Sequence, residues 1–496
     1  MNLVTLHLPE IGAREVTFRW QVEPPTPLYP VSQFSLRFPD GVDPARVPEG
    51  IWWAIAMLCL HAHWPLLRPC RVKLPFRLRP GEAETWLRLM DSYVWTLEAY
   101  RGTTRLEREV VIEDDGPPIS YSTLPEAKRC ATAFSGGKDS LLQAGLLAEL
   151  SANPLLVTTT SPMPPLEDHI TARRRYILGE ITRRRDVTLV EVESDFRANW
   201  NNDFARVIGY QISINEVTDT FLYFSSMLAA GVALGVPHLF LASEVQVNEN
   251  VELDGRIIQH PHFMYSVVTL STVEALLRPW GVSFCSLTSP LHSFQVQELL
   301  WTRYADLRDL QYSCWKVKEG ESVCNACSQC LRIALSALAL GDDPALMGAD
   351  LVKLLNATGE WTPPKPNGDA PLLPNQISGR QLHGHVQRVV AAIPESSVAE
   401  YLARVSPDQL LAPAGQSALA AYRELHRRAL EYDADPAPGY RARFDSFIDP
   451  LLAAGVNQIY AEHFTPADEA SYAGALGRSR ALVNWITEPL DAEPAS

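Results

Sequence analysis

Residues 131–150, ATAFSGGKDSLLQAGLLAEL, place two glycines and a Lys-Asp-Ser between a short apolar strand and an apolar helix. Glycines let backbone amides approach an anion, and the positive dipole end of the following helix points at the same place. A Walker A loop needs four residues between its first glycine and Gly-Lys-Ser/Thr, and that spacing is missing here. The stretch therefore predicts phosphate binding without the signature of a γ-phosphate transferase. A plain glycine turn between strand and helix is the alternative.

Four of the eight cysteines crowd into one segment with the spacing C-x9-C-x2-C-x2-C. One hairpin and one helix start can present four such thiolates tetrahedrally, which predicts a closed structural Zn²⁺ site. An iron–sulfur cluster is an alternative because CxxCxxC also opens ferredoxin motifs, although no Cys-Pro follows here. A chance group of buried cysteines is the third interpretation. The four predicted metal ligands are Cys314, Cys324, Cys327 and Cys330.

The elements that must position these residues alternate between apolar strands and helices from about residue 126 to 345. That rhythm predicts an α/β fold with a doubly wound parallel sheet. Ligands bind such sheets at the carboxyl ends of the strands, so Ser243 and Glu244, at the end of the strand HLFLAS, are candidate substrate residues. Glu244 has a helix cap or a surface acid as its alternative role. His262, in HPHF, is a further substrate candidate, with a loop feature as the alternative.

Two flanking regions differ in pattern from this core. Residues 1–125 alternate apolar and polar positions, which predicts a β-rich N-terminal domain with helices near 51–61 and 82–95. A proline-rich connector over 361–374 precedes residues 376–496, for which we predict a helical C-terminal domain. This last segment carries no catalytic spacing, so packing or partner docking is the expected role.

Composition limits the classes of partner. The net charge of -15 argues against a large duplex-binding face, so nucleic acid is not an expected partner. The amino terminus lacks the pattern of a signal peptide, and the longest apolar run, 51–60, is shorter than the roughly 18 residues of a membrane span. We therefore expect a cytoplasmic protein without a membrane segment. The arginine runs 173–175 and 183–185 are predicted to be solvated helix faces, with attraction of a nucleotide or an acidic partner as the alternative.

The motif SGGKDS resembles the PP-loop of the ATP pyrophosphatase superfamily, whose SGGxDS cradles the β,γ-pyrophosphate of ATP while a substrate oxygen attacks the α-phosphorus. The resemblance implies that Lys138 adds positive charge and that Asp139 helps to position Mg²⁺. It also implies AMP and pyrophosphate as products. The residues that would cradle the pyrophosphate are Ser135, Gly136, Gly137 and Ser140.

Combined with SCW followed by CNACSQC, the loop resembles 7-cyano-7-deazaguanine synthase over roughly residues 128–340, with Asn325 in the place of a family glycine. The resemblance implies an ATP-dependent ligase that uses Mg²⁺ and Zn²⁺ and adenylates 7-carboxy-7-deazaguanine for transfer to an amine. The family's acceptor-side motifs are altered at Thr160-Ser161-Pro162, Ser293 and Gln295-Val296. These departures and the extra domains resemble the deazaguanine-synthase-like proteins of bacterial antiphage operons. The amine is then ammonia or the amino terminus of a partner protein.

Two other classes of function fit the same loop. A PP-loop sulfurtransferase or reductase-like enzyme acting on nucleic acid would also use SGGKDS, together with a cluster or a reactive cysteine. A non-catalytic scaffold that only binds ATP is the remaining hypothesis.

Overall fold

The structure is a computed structural model that describes residues 1–101, 109–125, 127–161, 168–208, 214–260, 262–314, 317, 319, 321–357, 389–405, 411–431 and 441–491. Its strands are β1 (Asn2–Leu6), β2 (Glu10–Ile11), β3 (Glu15–Glu23), β4 (Gln33–Arg37), β5 (Cys70–Lys73), β6 (Val110–Glu113), β7 (Cys130–Ala133), β8 (Leu155–Thr160), β9 (Thr188–Ser194), β10 (His238–Phe240), β11 (Val251–Leu253), β12 (Arg256–Ile258) and β13 (Ser283–Cys285).

Its α-helices are α1 (Glu49–Leu60), α2 (Glu82–Arg101), α3 (Lys138–Leu150), α4 (Asp168–Arg184), α5 (Asn202–Val207), α6 (Ile214–Ala233), α7 (Val267–Leu277), α8 (Ser293–Thr302), α9 (Ser328–Ala339), α10 (Leu351–Asn356), α11 (Glu395–Val405), α12 (Pro413–Glu431), α13 (Pro450–His463) and α14 (Glu469–Asp491). Short 3₁₀ turns connect several of them.

One mixed sheet of eleven strands runs through the molecule in the order β13-β10-β7-β8-β9-β4-β3-β1-β5-β6, with β2 attached to β3. The five strands from β13 to β9 are parallel to one another. Strand order reverses beside β7, because β8 and β9 follow on one side and β10 and β13 on the other. In open α/β sheets, such a reversal leaves a crevice at the carboxyl ends of the strands. The α/β class is therefore confirmed.

Helices cover both faces of the parallel strands because successive strand residues point to opposite sides. Leu155 and Val157 of β8 belong to one hydrophobic cluster, whereas Leu156 between them belongs to another. Helices α6 and α7 pack on the first side, and α3 with α8 lies on the second. The near-continuous apolar character of these strands follows from burial on both faces.

The strands of the first 125 residues continue this sheet instead of forming a separate one. Strand β4 pairs antiparallel with β9, and the amide of Ser35 donates to Asp195 Oδ1 at 2.7 Å. The ring of Phe34 meets that of Phe196 edge-on, with centroids 4.9 Å apart. One hydrophobic cluster therefore crosses the domain boundary that the sequence predicted near residue 125.

Helix α1 contains the apolar run 51–60, for which the sequence predicted a helix near 51–61. Residues 49–67, which comprise α1 and the following 3₁₀ turn, are the one helical stretch in the described part of the chain that is long and apolar enough to cross a membrane. Within the structure 94% of that window is buried, and α1 packs against α6. Trp52, Trp53 and Trp64 all lie in the core.

The described residues beyond 389 are helical, in agreement with the predicted C-terminal segment. Helix α14 packs against α2 and α7, while α13 packs against α3 on the other side of the sheet. The C-terminal helices therefore pack against helices on both faces of the sheet. The proline-rich connector at 361–374 and the start of the 376–496 domain lie outside the described residues.

Candidate functional site

The glycine loop joins β7 to α3 as the sequence predicted. Gly136 has φ +79°, in the left-handed region that glycine adopts without strain. Its carbonyl accepts a hydrogen bond from the amide of Tyr312 at 2.8 Å, which ties the loop to the segment preceding the cysteines. Gly137 is the N-cap of α3 and offers no side chain to the first amides of that helix. These amides are suited to an anionic ligand.

Two serines close the loop on itself. The Oγ atoms of Ser135 and Ser140 lie 3.3 Å apart, and Ser140 Oγ donates to the carbonyl of Gly137 at 3.1 Å. The amide of Gly137 donates to Ser135 Oγ at 3.4 Å. Both hydroxyls also line the cavity described below. The loop is therefore preorganised by its own side chains.

Lys138 is buried and lies between two carboxylates. Its ammonium donates to Asp139 Oδ1 at 2.6 Å and to Glu244 Oε1. Burial lowers the pKa of Lys138, while the Asp139 carboxylate acts in the opposite direction. Carboxylate oxygens are ligands that Mg²⁺ prefers, so Asp139 and Glu244 are the two acids that can hold that ion here. Glu244, predicted as a substrate residue, thus contacts the loop lysine.

A cavity of about 390 Å³ opens where the carboxyl ends of β7, β8 and β10 meet. It is of the size of small-molecule sites in proteins. Six separate segments of the chain contribute to its lining. The predicted site residues in its lining are Ser135, Gly137, Asp139, Ser140, Ser243, Glu244 and His262. Gly136 and Lys138 lie behind this surface, within the loop.

Ser243 is held in the cavity wall through its backbone. Its amide lies 2.9 Å from Ser286 Oγ and 3.0 Å from Thr288 Oγ1, and its carbonyl accepts from Thr288 Oγ1 at 2.6 Å. The Ser243 hydroxyl itself is buried and has no hydrogen-bond partner in the part of the chain that the structure describes. Because a buried hydroxyl normally finds a partner, this atom is suited to contact a ligand.

The sequence analysis missed Arg174, Tyr223 and Tyr265, which also line the cavity. Arg174 belongs to a run that was predicted to be solvated. On α4 it lies four residues after Ile170 and three before Ile177, and both isoleucines are buried. Residues with this spacing share one helix face, so the apolar periodicity of α4 was the signal that separates Arg174 from its neighbours.

The four predicted metal ligands come together in one cluster. All four sulfurs lie within 4.8 Å of one another, with Cys314 and Cys327 3.9 Å apart and Cys324 and Cys330 3.8 Å apart. Tetrahedral binding at about 2.3 Å places sulfurs about 3.8 Å apart, so this set can hold a single metal ion such as zinc. An iron–sulfur cluster spreads its thiolates over several irons and fits this close group less well.

Local backbone geometry explains how the cysteine segment reaches this arrangement. Asn325 stands where the resembled family has glycine, and its φ of +52° lies in the left-handed region that glycine and asparagine tolerate best. Its side chain bridges the Gly348 carbonyl at 3.1 Å and the Asp350 amide at 2.8 Å. Hydrogen bonding from Cys314 lowers the pKa of the Cys327 thiol, which favours the thiolate that a metal requires.

Arg332 links the cysteine cluster to the phosphate loop. It lies two residues after the last cysteine, on α9, and shares a small cavity of about 20 Å³ with Lys138. Burial lowers the pKa of Arg332, whereas the charges of Asp139 and Cys327 raise it. Two motifs far apart in sequence are therefore adjacent in space and share a cation.

A comparison of the chain with protein-family models, with curated proteins and with solved structures finds no match.

Proposed function

We propose that this protein is an AMP-forming, ATP-dependent ligase. The observation that carries the proposal is the glycine loop of residues 135–140, which opens with an uncapped helix start onto a cavity at the reversal of strand order. Loops of this kind bind phosphate through backbone amides and the helix dipole. In the proposed reaction the loop holds the β- and γ-phosphoryl groups of ATP, and the α-phosphorus is the electrophile.

The proposed reaction has two balanced steps. A substrate carboxylate oxygen attacks the α-phosphorus, the α–β anhydride bond breaks, and pyrophosphate leaves with the electron pair. An amine then attacks the acyl carbon of the adenylate, AMP leaves, and the amine loses one proton to water. The products are an amide, AMP and pyrophosphate. Such a reaction depends chiefly on positioning and on charge neutralisation, for which few acid or base residues are needed.

Each loop residue has a role in this scheme. Lys138 is the cation that balances the outer phosphoryl groups once its present partners, Asp139 and Glu244, are engaged elsewhere. Those two carboxylates are the residues that would hold Mg²⁺, which would neutralise phosphate charge. Ser135 and Ser140 keep the loop closed so that its amides stay aligned.

The substrate that we propose is 7-carboxy-7-deazaguanine, by the resemblance of SGGKDS and the cysteine segment to 7-cyano-7-deazaguanine synthase. The cysteine cluster packs beside the loop, and Asn325 replaces the family glycine in a backbone conformation suited to either residue. These two features support the resemblance. The proposed acceptor is ammonia or the amino terminus of a partner protein, as in antiphage systems with related enzymes.

The test is an analysis of products. The protein is incubated with ATP, Mg²⁺ and 7-carboxy-7-deazaguanine, with either ammonium or a candidate partner protein as the amine. AMP and pyrophosphate should form in equal amounts, and mass spectrometry should find either the free amide or a mass gain on the partner. Accumulation of ADP, or no acid-dependent consumption of ATP with any acceptor, would overturn the proposal.

A further inference from the structure

Only one arginine of the α4 run 173–175 lines the cavity among the residues that the structure describes. Arg173 donates to the carbonyl of Asp309 at 2.9 Å, and Arg175 is exposed. Arg174 instead lies in the cavity lining with Tyr223 and Tyr265. Arg174 shares a helix face with the buried Ile170 and Ile177, and it places a charged group in the cavity wall.

The charges around the cavity favour binding of an anion beside Arg174 and not beside the two acids. Asp139 and Glu244 line the cavity and share the ammonium of Lys138, so a carboxylate entering the cavity meets two acids of its own sign. Arg174 is the arginine in that lining. Burial lowers the pKa of Arg174, the neighbouring Tyr223 opposes this, and the charge of Arg197 lowers the pKa further. A bound anion would offset both costs to the charged guanidinium.

The surroundings of Arg174 suit a planar molecule with polar edges. Tyr223 is fixed by a hydrogen bond that its hydroxyl accepts from Arg197 Nη2 at 2.7 Å. Aromatic rings such as Tyr223 and Tyr265 offer flat apolar surface to a heteroaromatic ring. The Ser243 hydroxyl in the same lining is buried and lacks a hydrogen-bond partner among the described residues. The lining therefore combines a cation, two flat rings and one unsatisfied hydroxyl.

We propose that Arg174 binds the carboxylate of a planar heteroaromatic acid, while Ser243 hydrogen-bonds the polar edge of the same ring system. Arginine suits this role because its planar guanidinium can hold a carboxylate through two parallel hydrogen bonds. The inference rests on the proposed ligase function and names the residue that selects the acid. By orienting the carboxylate, Arg174 also sets which oxygen faces the α-phosphorus.

The test compares the equilibrium binding of two ligands, one with the carboxylate and one without it. Each variant is saturated with Mg²⁺ and α,β-methylene ATP, which cannot be cleaved, and is titrated with 7-carboxy-7-deazaguanine or with 7-deazaguanine, which lacks the carboxylate. We expect Arg174→Gln to weaken binding of the acid by about 10- to 100-fold, the range for a lost charge-assisted hydrogen bond, and to leave 7-deazaguanine unaffected. Arg174→Lys should restore part of the affinity for the acid. Ser243→Ala should weaken both ligands equally.

Arg175→Gln is the matched control, because its side chain is an exposed neighbour on the same helix and should leave both affinities unchanged. Equal affinity of the native protein for the acid and for 7-deazaguanine would contradict the role of Arg174. So would an Arg174→Gln variant that loses affinity for the nucleotide instead of the acid. A native protein that binds no nucleotide would instead overturn the proposed function, so the two failures are distinguishable.

Discussion

The two ends of the same parallel strands carry different clusters of buried charge. At the carboxyl ends, Lys138 lies between Asp139 and Glu244 at the border of the cavity of about 390 Å³. At the amino ends, His238 and Ser283 begin β10 and β13 and bind Asp449, the residue that caps α13. His238 Nδ1 and Ser283 Oγ lie 2.7 Å and 2.6 Å from Asp449 Oδ2.

The two clusters differ in how many of their polar atoms have hydrogen-bond partners. Both oxygens of Asp449 are hydrogen-bonded, since Oδ1 also accepts from the amide of Leu451 at 2.8 Å. The cavity at the other end keeps a buried Ser243 hydroxyl without a partner and a helix start without a side-chain cap, within the described part of the chain. A satisfied cluster holds the C-terminal helices to the sheet, whereas an unsatisfied one is suited to a ligand. Substitutions should therefore change stability at one end and ligand binding at the other.

The largest effect is expected for Asp139→Asn at the cavity end. Removing this carboxylate takes away a proposed Mg²⁺ ligand and a partner of Lys138, while Glu244 still holds the lysine. We expect the rate of AMP formation to fall by about 10²- to 10³-fold, the range for losing one preorganised electrostatic contact, with little change in melting temperature. Asp309→Asn, which affects a surface ion pair, is the control. An Asp139→Asn protein that is as active as the native protein would contradict a role of the cavity end in ligand binding.

The cysteine cluster should behave as a structural centre that supports the cavity end. We expect Cys330→Ser to lose bound zinc and to unfold at a markedly lower temperature, because metal-binding free energy is folding free energy in such sites. Metal analysis and thermal unfolding measure both effects. Cys59→Ala, which changes a buried cysteine far from the cluster in sequence, should retain the zinc. A brown protein containing iron and sulfide would instead support the rival sulfurtransferase or reductase-like class.

A smaller effect, on stability alone, is expected for Asp449→Ala at the amino ends. It removes the carboxylate oxygen that His238 and Ser283 share, and it removes the cap of α13. We expect a loss of about 2–4 kcal/mol in the free energy of unfolding, with the nucleotide affinity of the folded protein unchanged. Asp306→Asn, which removes the surface ion pair with Arg185, should cost less than about 1 kcal/mol. Loss of nucleotide affinity in folded Asp449→Ala protein would contradict the separation of roles.

An effect of similar size, confined to higher pH, is expected at the same end. Burial, with the nearby charge of Asp449 as a second cause, raises the pKa of Glu274 from 4.5 to about 7. Between these two values the folded protein holds a proton that the unfolded chain releases, so the free energy of unfolding falls as pH rises through this window. Glu274→Gln should remove this slope, with a gain of about 3 kcal/mol at pH 8 and none at pH 4. Parallel pH profiles of urea unfolding for the two proteins would refute the assignment.

Local patterns predicted the parts of the site that are continuous in sequence. The strand, glycine loop and helix around Gly136 follow from spacing alone, as does the cluster of four cysteines. Ser243 was placed by the rule that strand ends form the crevice. The position of Arg174 in the cavity lining can be predicted only from the helix face on which it lies. Three adjacent arginines are identical in type, but their surroundings in the structure differ.

Long-range pairing was the part that the sequence could not supply. Alternating residues in β4 predict a strand with one buried face, but they do not identify its neighbour. The pairing of Leu36 with Ser194 joins segments from the predicted N-terminal domain and the core, so the continuous sheet appears only in the structure. The same holds for Asp449, whose partner His238 lies more than two hundred residues earlier in the chain.

The most direct test of the central claim is a crystal structure of the protein with Mg²⁺ and α,β-methylene ATP. If the protein is an AMP-forming ligase, the β- and γ-phosphoryl groups will lie on the amides of residues 136–138, with the α-phosphorus facing Ser243 and Arg174 across the cavity. A nucleotide bound elsewhere with the glycine loop empty, or one whose γ-phosphorus instead faces the cavity, would contradict it.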